Sequence, residues 1–261
     1  LGSGADIVCL DIEDAVAPTH KSEARAKCLA LFADLPDAGA VEPMLRINPM
    51  GSEEGMRDVL AIIEATRPPP ALMMTKVKAG AEVAMLDELL GENHAHVRLH
   101  VIIETNEGLE NAYAIGQASG RIDSLLFGGY DMSAELRVEP EWDALLYARA
   151  RVAHAAAGAG VDLIDVPHLD LDDMDGLAIA ARKARQLGFT GKAAIHPKQI
   201  EVINTTFSPS EEQIAEAKRI VAAFEKEGAS GLLVVDGKLI EAPVLRSMQR
   251  TLAVAERIGA R

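Results

Sequence analysis

Apolar residues along this chain gather into short, nearly unbroken runs separated by longer stretches with helical spacing. Runs at 5–11 (ADIVCLD), 44–48, 71–77, 98–104, 124–128, 162–166 and 192–196 read as strands. They lack strict alternation, as expected of strands covered on both faces. Amphipathic stretches at 53–65, 80–90, 107–118, 141–157 and 172–187 read as the intervening helices. Strand–helix alternation of this kind predicts a parallel sheet. Only LGSG precedes the first run, and seven strands fall one short of a closed (β/α)8 TIM barrel. The expectation is therefore a TIM barrel whose first strand is absent from the chain as given. An open doubly wound sheet is the alternative, and it would place a ligand where the strand order reverses.

Beyond the last strand the pattern changes. SPSEEQIAEAKRIVAAFEKEG predicts a helix with Ser208 as N-cap, Pro209 at its first position, Glu211 completing a capping box and Gly228 ending it. A hairpin turning near Asp236-Gly237 and a terminal helix follow. The predicted organisation is a barrel domain over 1–207 and a C-terminal helical and hairpin extension over 208–261, acting as a lid or a subunit-packing arm.

Composition narrows the partners. The 261 residues carry a formal net charge of −14, which argues against nucleic acid but leaves an anionic small molecule open. No apolar run reaches the roughly 20 residues of a membrane span. The two cysteines, Cys9 and Cys28, do not form a disulfide scaffold, and a reducing cytoplasm is the default expectation.

Chemistry-bearing residues collect at the predicted strand ends, where barrels keep their active groups. Asp11, Glu13, Asp14, Glu104 and Asp131 would bring acidic oxygens to one mouth, and hard oxygen ligands suit Mg²⁺. Arg46 adds a planar fork suited to a carboxylate, although its partner could equally be an internal acid. Glu104 directly follows Val101-Ile102-Ile103 and should be partly buried, where an unpaired carboxylate is costly. Gly128 and Gly129 precede Asp131 and permit close approach to the backbone, while Asp131 has an alternative role as a helix cap. Lys76 either serves the mouth or flanks a strand end, and His196-Pro197 either binds or shapes a turn.

In order and spacing these segments resemble the citrate lyase β-subunit-like and malyl-CoA lyase branch of the HpcH/HpaI aldolase superfamily. The segments are ADIVCLDIEDAVAPTHKSEAR, LRIN, IIETNEGLENAYAI, LLFGGYDMSAEL, LGFTGKAAIHPKQI and DGKLIEAPVLRSM. The resemblance implies a Mg²⁺-dependent carbon–carbon lyase acting on a malyl-, citramalyl- or citryl-CoA type thioester, or alternatively a malyl-CoA-type thioesterase or a carrier-dependent citrate lyase β subunit. It implies Glu104 and Asp131 as metal ligands, Glu13 and Asp14 on metal-bound waters, and Arg46 on the substrate carboxylate. Candidate catalytic groups are Glu241, Asp14 and Arg46; candidate substrate contacts are Arg46, Glu13, Gly129 and Lys76; candidate CoA contacts are Lys21, Arg25, His196 and Lys198. A homotrimer or hexamer is implied, with room for an acyl-carrier partner. Three positions depart from the family pattern. Its first-strand signature is missing, Thr75 replaces the usual proline before the lysine, and Glu241 stands where an aspartate is usual.

Overall fold

The computed structural model describes residues 2–227, 232–235 and 238–259. The chain divides into two compact units, Leu1–Ile203 and Asn204–Arg261.

The first unit is built on strands β1 (Ile7–Asp11), β2 (Glu42–Arg46), β3 (Ala71–Met74), β4 (Arg98–Ile103), β5 (Ile122–Phe127), β6 (Asp162–Asp165) and β7 (Gly191–Lys192). Its helices are α1 (Lys21–Asp34), α2 (Glu53–Glu64), α3 (Gly80–Leu90), α4 (Asn106–Glu110), α5 (Ala112–Gly116), α6 (Gly129–Leu136), α7 (Leu146–Ala159) and α8 (Met174–Gln186). Helix α9 (Ile200–Phe207) carries the chain across the division, which falls inside this helix and not after it.

All seven strands pair in parallel, each with its neighbour in sequence. This order contains no reversal, so the doubly wound alternative does not apply. The unit is a TIM-barrel-like α/β sheet. Register carries one set of side chains inward: Cys9 stands beside Met44, Arg46 beside Met73, and Ile102 beside Leu126. Met44, Ala71, Met73, Ile102 and Leu126 form an inner apolar cluster, joined by Ile7 and Ile164. Asp11 and Arg46 lie on the same face, one step further along their strands, so the polar mouth rests on this apolar floor.

Local chemistry explains the helix boundaries. Ser52 caps α2 by accepting from Gly55 N, and Thr105 caps α4 by accepting from Gly108 N. The predicted 107–118 helix is two short ones, broken at Asn111, whose Nδ2 donates to Lys78 O across the mouth loops. Helix α7 starts later than predicted, because the Glu141–Leu145 stretch forms a turn.

The second unit contains α10 (Glu211–Glu227), the antiparallel hairpin of β8 (Leu232–Val235) and β9 (Lys238–Glu241), and α11 (Ala242–Gly259). The capping box is displaced from its predicted place: Gln213 N donates to Ser210 Oγ, and Ser210 N donates to Gln213 Oε1. Ser208 N–H still donates to Asn204 O and closes α9, and α10 begins three residues later. The predicted stop at Gly228 and turn at Asp236-Gly237 lie outside the described residues. No described helix is long and apolar enough to cross a membrane.

Candidate active site at the strand ends

The mouth is organised by two cations placed among acids. Arg46, at the end of β2, donates through Nε to Asp11 Oδ1 at 2.8 Å and through Nη2 to Asp11 Oδ2 at 2.5 Å. Its Nη1 lies 3.7 Å from Glu13 Oε2. Hydrogen bonds to Asp11 raise the Arg46 pKa although burial opposes this, and it stays charged throughout. Burial also works against the charge on Asp11, but the Arg46 fork prevails and lowers its pKa. The internal-acid alternative for Arg46 is thus realised here, with the guanidinium edge still a quarter exposed at 28%.

Lys76 follows β3 after Thr75 and has φ +52°, a left-handed conformation rare for a residue with a side chain. This geometry aims its backbone N–H at Glu104 Oε1, 2.8 Å away. Its Nζ donates to Glu13 Oε1 at 2.6 Å and to both Asp14 oxygens at 3.0 and 3.1 Å. Burial opposes the ammonium charge, yet the bonds to Glu13 and Asp14 raise its pKa. Thr75 Oγ1, at the position that departs from the family proline, donates to Ile47 O and ties β3 to the segment after β2.

Glu104 is 5% exposed. Burial pushes its carboxyl up to about 7, the negative charges of Asp131 and Glu13 add to this, and the Lys76 N–H works in the other direction. Among the described residues no donor reaches Oε2. Gly128 explains how the side chain fits: a Cβ there would overlap Glu104 Cβ and sit 2.7 Å from Oε2. Gly129, the glycine singled out from sequence, is instead confined by packing, since its Cβ would meet the Phe127 ring and Val166. Asp131 is exposed in the first turn of α6, and among the described residues it makes no cap hydrogen bond. No group of three His, Cys, Asp or Glu side chains stands together as a metal cage among the described residues.

Two candidate CoA contacts, Lys21 and Arg25, are engaged by hydrogen bonds inside the fold. Lys21 is buried, and its Nζ donates to Ile12 O, Glu13 O and Asn48 Oδ1 at 3.0, 2.6 and 2.7 Å. Arg25 is also buried and donates to Asp58 Oδ1 at 2.6 Å and Glu54 Oε2 at 2.5 Å. Asp58 in turn accepts from Asn48 N and Nδ2. These side chains are occupied internally, and they hold the loop carrying Glu13 against the end of β2. Asn48 and Asp58 escaped the sequence reading because their partners Lys21 and Arg25 lie on α1, far away in sequence. His196 is exposed, and its Nδ1 accepts from Lys198 N, so it caps the turn Pro197–Gln199. Lys198 pairs with exposed Asp172. Glu241, at the end of β9, is exposed in the second unit.

A second ionic cluster was missed altogether. Lys192, ending β7, donates to Asp165 Oδ2 and Val166 O, both at 2.6 Å, and Arg149 Nε donates to Asp165 Oδ1 at 3.2 Å. The Arg149 guanidinium sits 4.7 Å from the ring centroids of both Phe127 and Trp142.

Sheet and mouth together define a barrel-type α/β protein that presents paired carboxylates and two cations at the carboxyl ends of its strands. The HpcH/HpaI aldolase/citrate lyase family profile matches residues 1–197, and the chain belongs to that family. It is 32% identical to the mitochondrial citramalyl-CoA lyase of Rattus norvegicus, over 97% of this chain and 80% of the relative. It is 34% identical to the (3S)-malyl-CoA thioesterase of Cereibacter sphaeroides, over 99% of this chain and 90% of the relative. Among solved structures, CitE of Mycobacterium tuberculosis in complex with magnesium, acetoacetate and coenzyme A superposes with a TM-score of 0.78 at 29% identity, covering 97% of this chain and 91% of that one.

Proposed function

We propose that this chain is a Mg²⁺-dependent lyase for a 3-hydroxyacyl-CoA thioester bearing a carboxylate on the hydroxyl carbon, of the malyl- or citramalyl-CoA type. The observation that carries the reading is Glu104: a buried carboxylate with one oxygen free of donors, seated against Gly128 and sharing its field with Asp131. Mg²⁺ fits this donor set, because it is commonly held by one or two carboxylates and keeps several waters. Glu104 and Asp131 would hold it directly, with Glu13 and Asp14 on its waters, and when bound it supplies a Lewis acid that lowers the substrate hydroxyl pKa.

The chain's own groups do the rest. Arg46 turns its fork from Asp11 toward the substrate carboxylate and fixes the carbon to be cleaved. Asp14, open to solvent at the rim, takes up the hydroxyl proton. The C–C bond then breaks, its electron pair passing to the thioester as an enolate and leaving a 2-oxo acid. Glu241 protonates the enolate carbon to give acetyl-CoA or its homologue. In the condensing direction it removes that proton. A soluble cytoplasmic homotrimer or hexamer acting on free CoA thioesters completes the proposal, with an acyl-carrier thioester as the substrate's other form.

The likeness to a malyl-CoA thioesterase over nearly the whole chain favours one second reading, in which water attacks the thioester held by the same groups. Product analysis separates the two. Purified protein given malyl-CoA or citramalyl-CoA should release a 2-oxo acid with an acetyl thioester. Free CoA with intact hydroxy acid would replace the lyase by a thioesterase.

A further inference from the structure

Lys76 combines an unusual backbone with a side chain committed to two carboxylates. Its backbone is held in the left-handed region, and its ammonium lies between Glu13 and Asp14. Glu13 is 2% exposed, so without that ammonium its Oε1 would be a buried carboxylate oxygen with no donor. Lys21 does not neutralise it, because Lys21 Nζ bonds the Glu13 backbone carbonyl and not its carboxylate. Arg46 lies only at 3.7 Å and is engaged by Asp11. Among the described residues, this flexible ammonium is thus the one cation hydrogen-bonded to the Glu13 carboxylate, whose other oxygen accepts from Asp14 N.

The backbone and side chain of Lys76 act on different carboxylates. The N–H meets Glu104 whatever the side chain does, whereas the ammonium reaches Glu13 and Asp14 on a four-carbon stem that remains a third exposed at 33%. The side chain can leave without disturbing the amide that holds Glu104. We propose that the Lys76 ammonium is a resident stand-in for the divalent ion: it neutralises Glu13 and Asp14 while the site is metal-free and withdraws toward solvent when the ion and its waters take those oxygens. This rests on the metal reading above. Two cations competing for one set of carboxylates cannot both be fully bound, because each lowers the affinity of the other.

The test is calorimetric titration of Mg²⁺, with no substrate present, into the wild type, Lys76→Met and Lys76→Arg. Lys76→Met keeps an unbranched stem and the same backbone demand but removes the charge. It should bind Mg²⁺ about tenfold or more tightly than the wild type, and Lys76→Arg should stay close to the wild type. The unfolding midpoint reports the same exchange from the protein's side: metal-free Lys76→Met should melt below the wild type, and Mg²⁺ should raise it by more. A variant that folds only with Mg²⁺ present gives the same answer in its extreme form. Equal or weaker binding by Lys76→Met overturns the proposal, as does a variant that Mg²⁺ does not restore. A wild type that binds no Mg²⁺ would remove the metal reading itself, a distinct failure.

Discussion

Two lysine–carboxylate clusters stand at strand ends of one sheet, and they have opposite characters. In the Lys76–Glu13–Asp14 cluster the lysine is a third exposed, and its partners raise its pKa despite burial. In the Lys192–Asp165–Arg149 cluster the lysine side chain is 2% exposed, and burial lowers its pKa even with Asp165 in contact. The first has more acids than cations and opens to the mouth. The second pairs two cations with one acid and is closed over by Phe127 and Trp142. The same chemical pair is thus partly solvated at the mouth and enclosed away from water in the second cluster.

The sharpest way to break this contrast is to remove one acid from the mouth, Glu104 beside the open cluster, and one from the closed cluster. Glu104→Ala should cut turnover by about a thousandfold or more, on the order of 4 kcal/mol in the barrier, without lowering the thermal unfolding midpoint. Steady-state kinetics and calorimetry on the same sample would show this, and a variant that keeps its rate would place the site elsewhere. Asp165→Ala should do the reverse, leaving two buried cations uncompensated and destabilising the fold by roughly 3–5 kcal/mol. Denaturant titration measures it, and a loss under about 1 kcal/mol would show the cluster to be solvated.

A third prediction concerns pH. Glu104 has its carboxyl raised from 4.5 to about 7, so the folded state holds a proton that the unfolded chain releases between those values. Its contribution is fully present below pH 4.5 and is lost as pH rises through about 7. Metal-free Glu104→Gln should therefore be more stable than the wild type above pH 7, by about 3 kcal/mol, with the gap closing on acidification. Denaturation curves at pH 5 and pH 8 would test it, and a gap that grows toward low pH would contradict the burial argument. The smallest expected effect is local. Ser210→Ala should cost about 1 kcal/mol through loss of the α10 cap, while Ser208→Ala should cost less.

The seven strands were legible because each is a compact apolar run, and parallel pairing in chain order follows from strand–helix alternation. Their ends were read too far. The run at 71–77 stops pairing at Met74 and the run at 192–196 at Lys192. At Thr75 and Lys76 the backbone turns to serve the mouth, and that turn leaves no trace in hydropathy. The gathering of the mouth acids and Arg46 was legible because all of them follow apolar runs that end on one side of the sheet. The internal hydrogen bonds of Lys21 and Arg25 were not, since a lysine that bonds backbone carbonyls reads no differently from one that is free to meet a ligand. Gly128 was visible only as one of a glycine pair. That Glu104, 24 positions earlier, needs the space is a fact of packing between β4 and β5.

The central claim is that the mouth, through Glu104 and Asp131, holds a divalent ion which C–C cleavage requires. The most direct measurement strips the purified protein with EDTA, then follows 2-oxo acid release from malyl-CoA and citramalyl-CoA as Mg²⁺ is returned. The account predicts release at background without the ion and a saturable recovery with it. Full release in excess EDTA would contradict it.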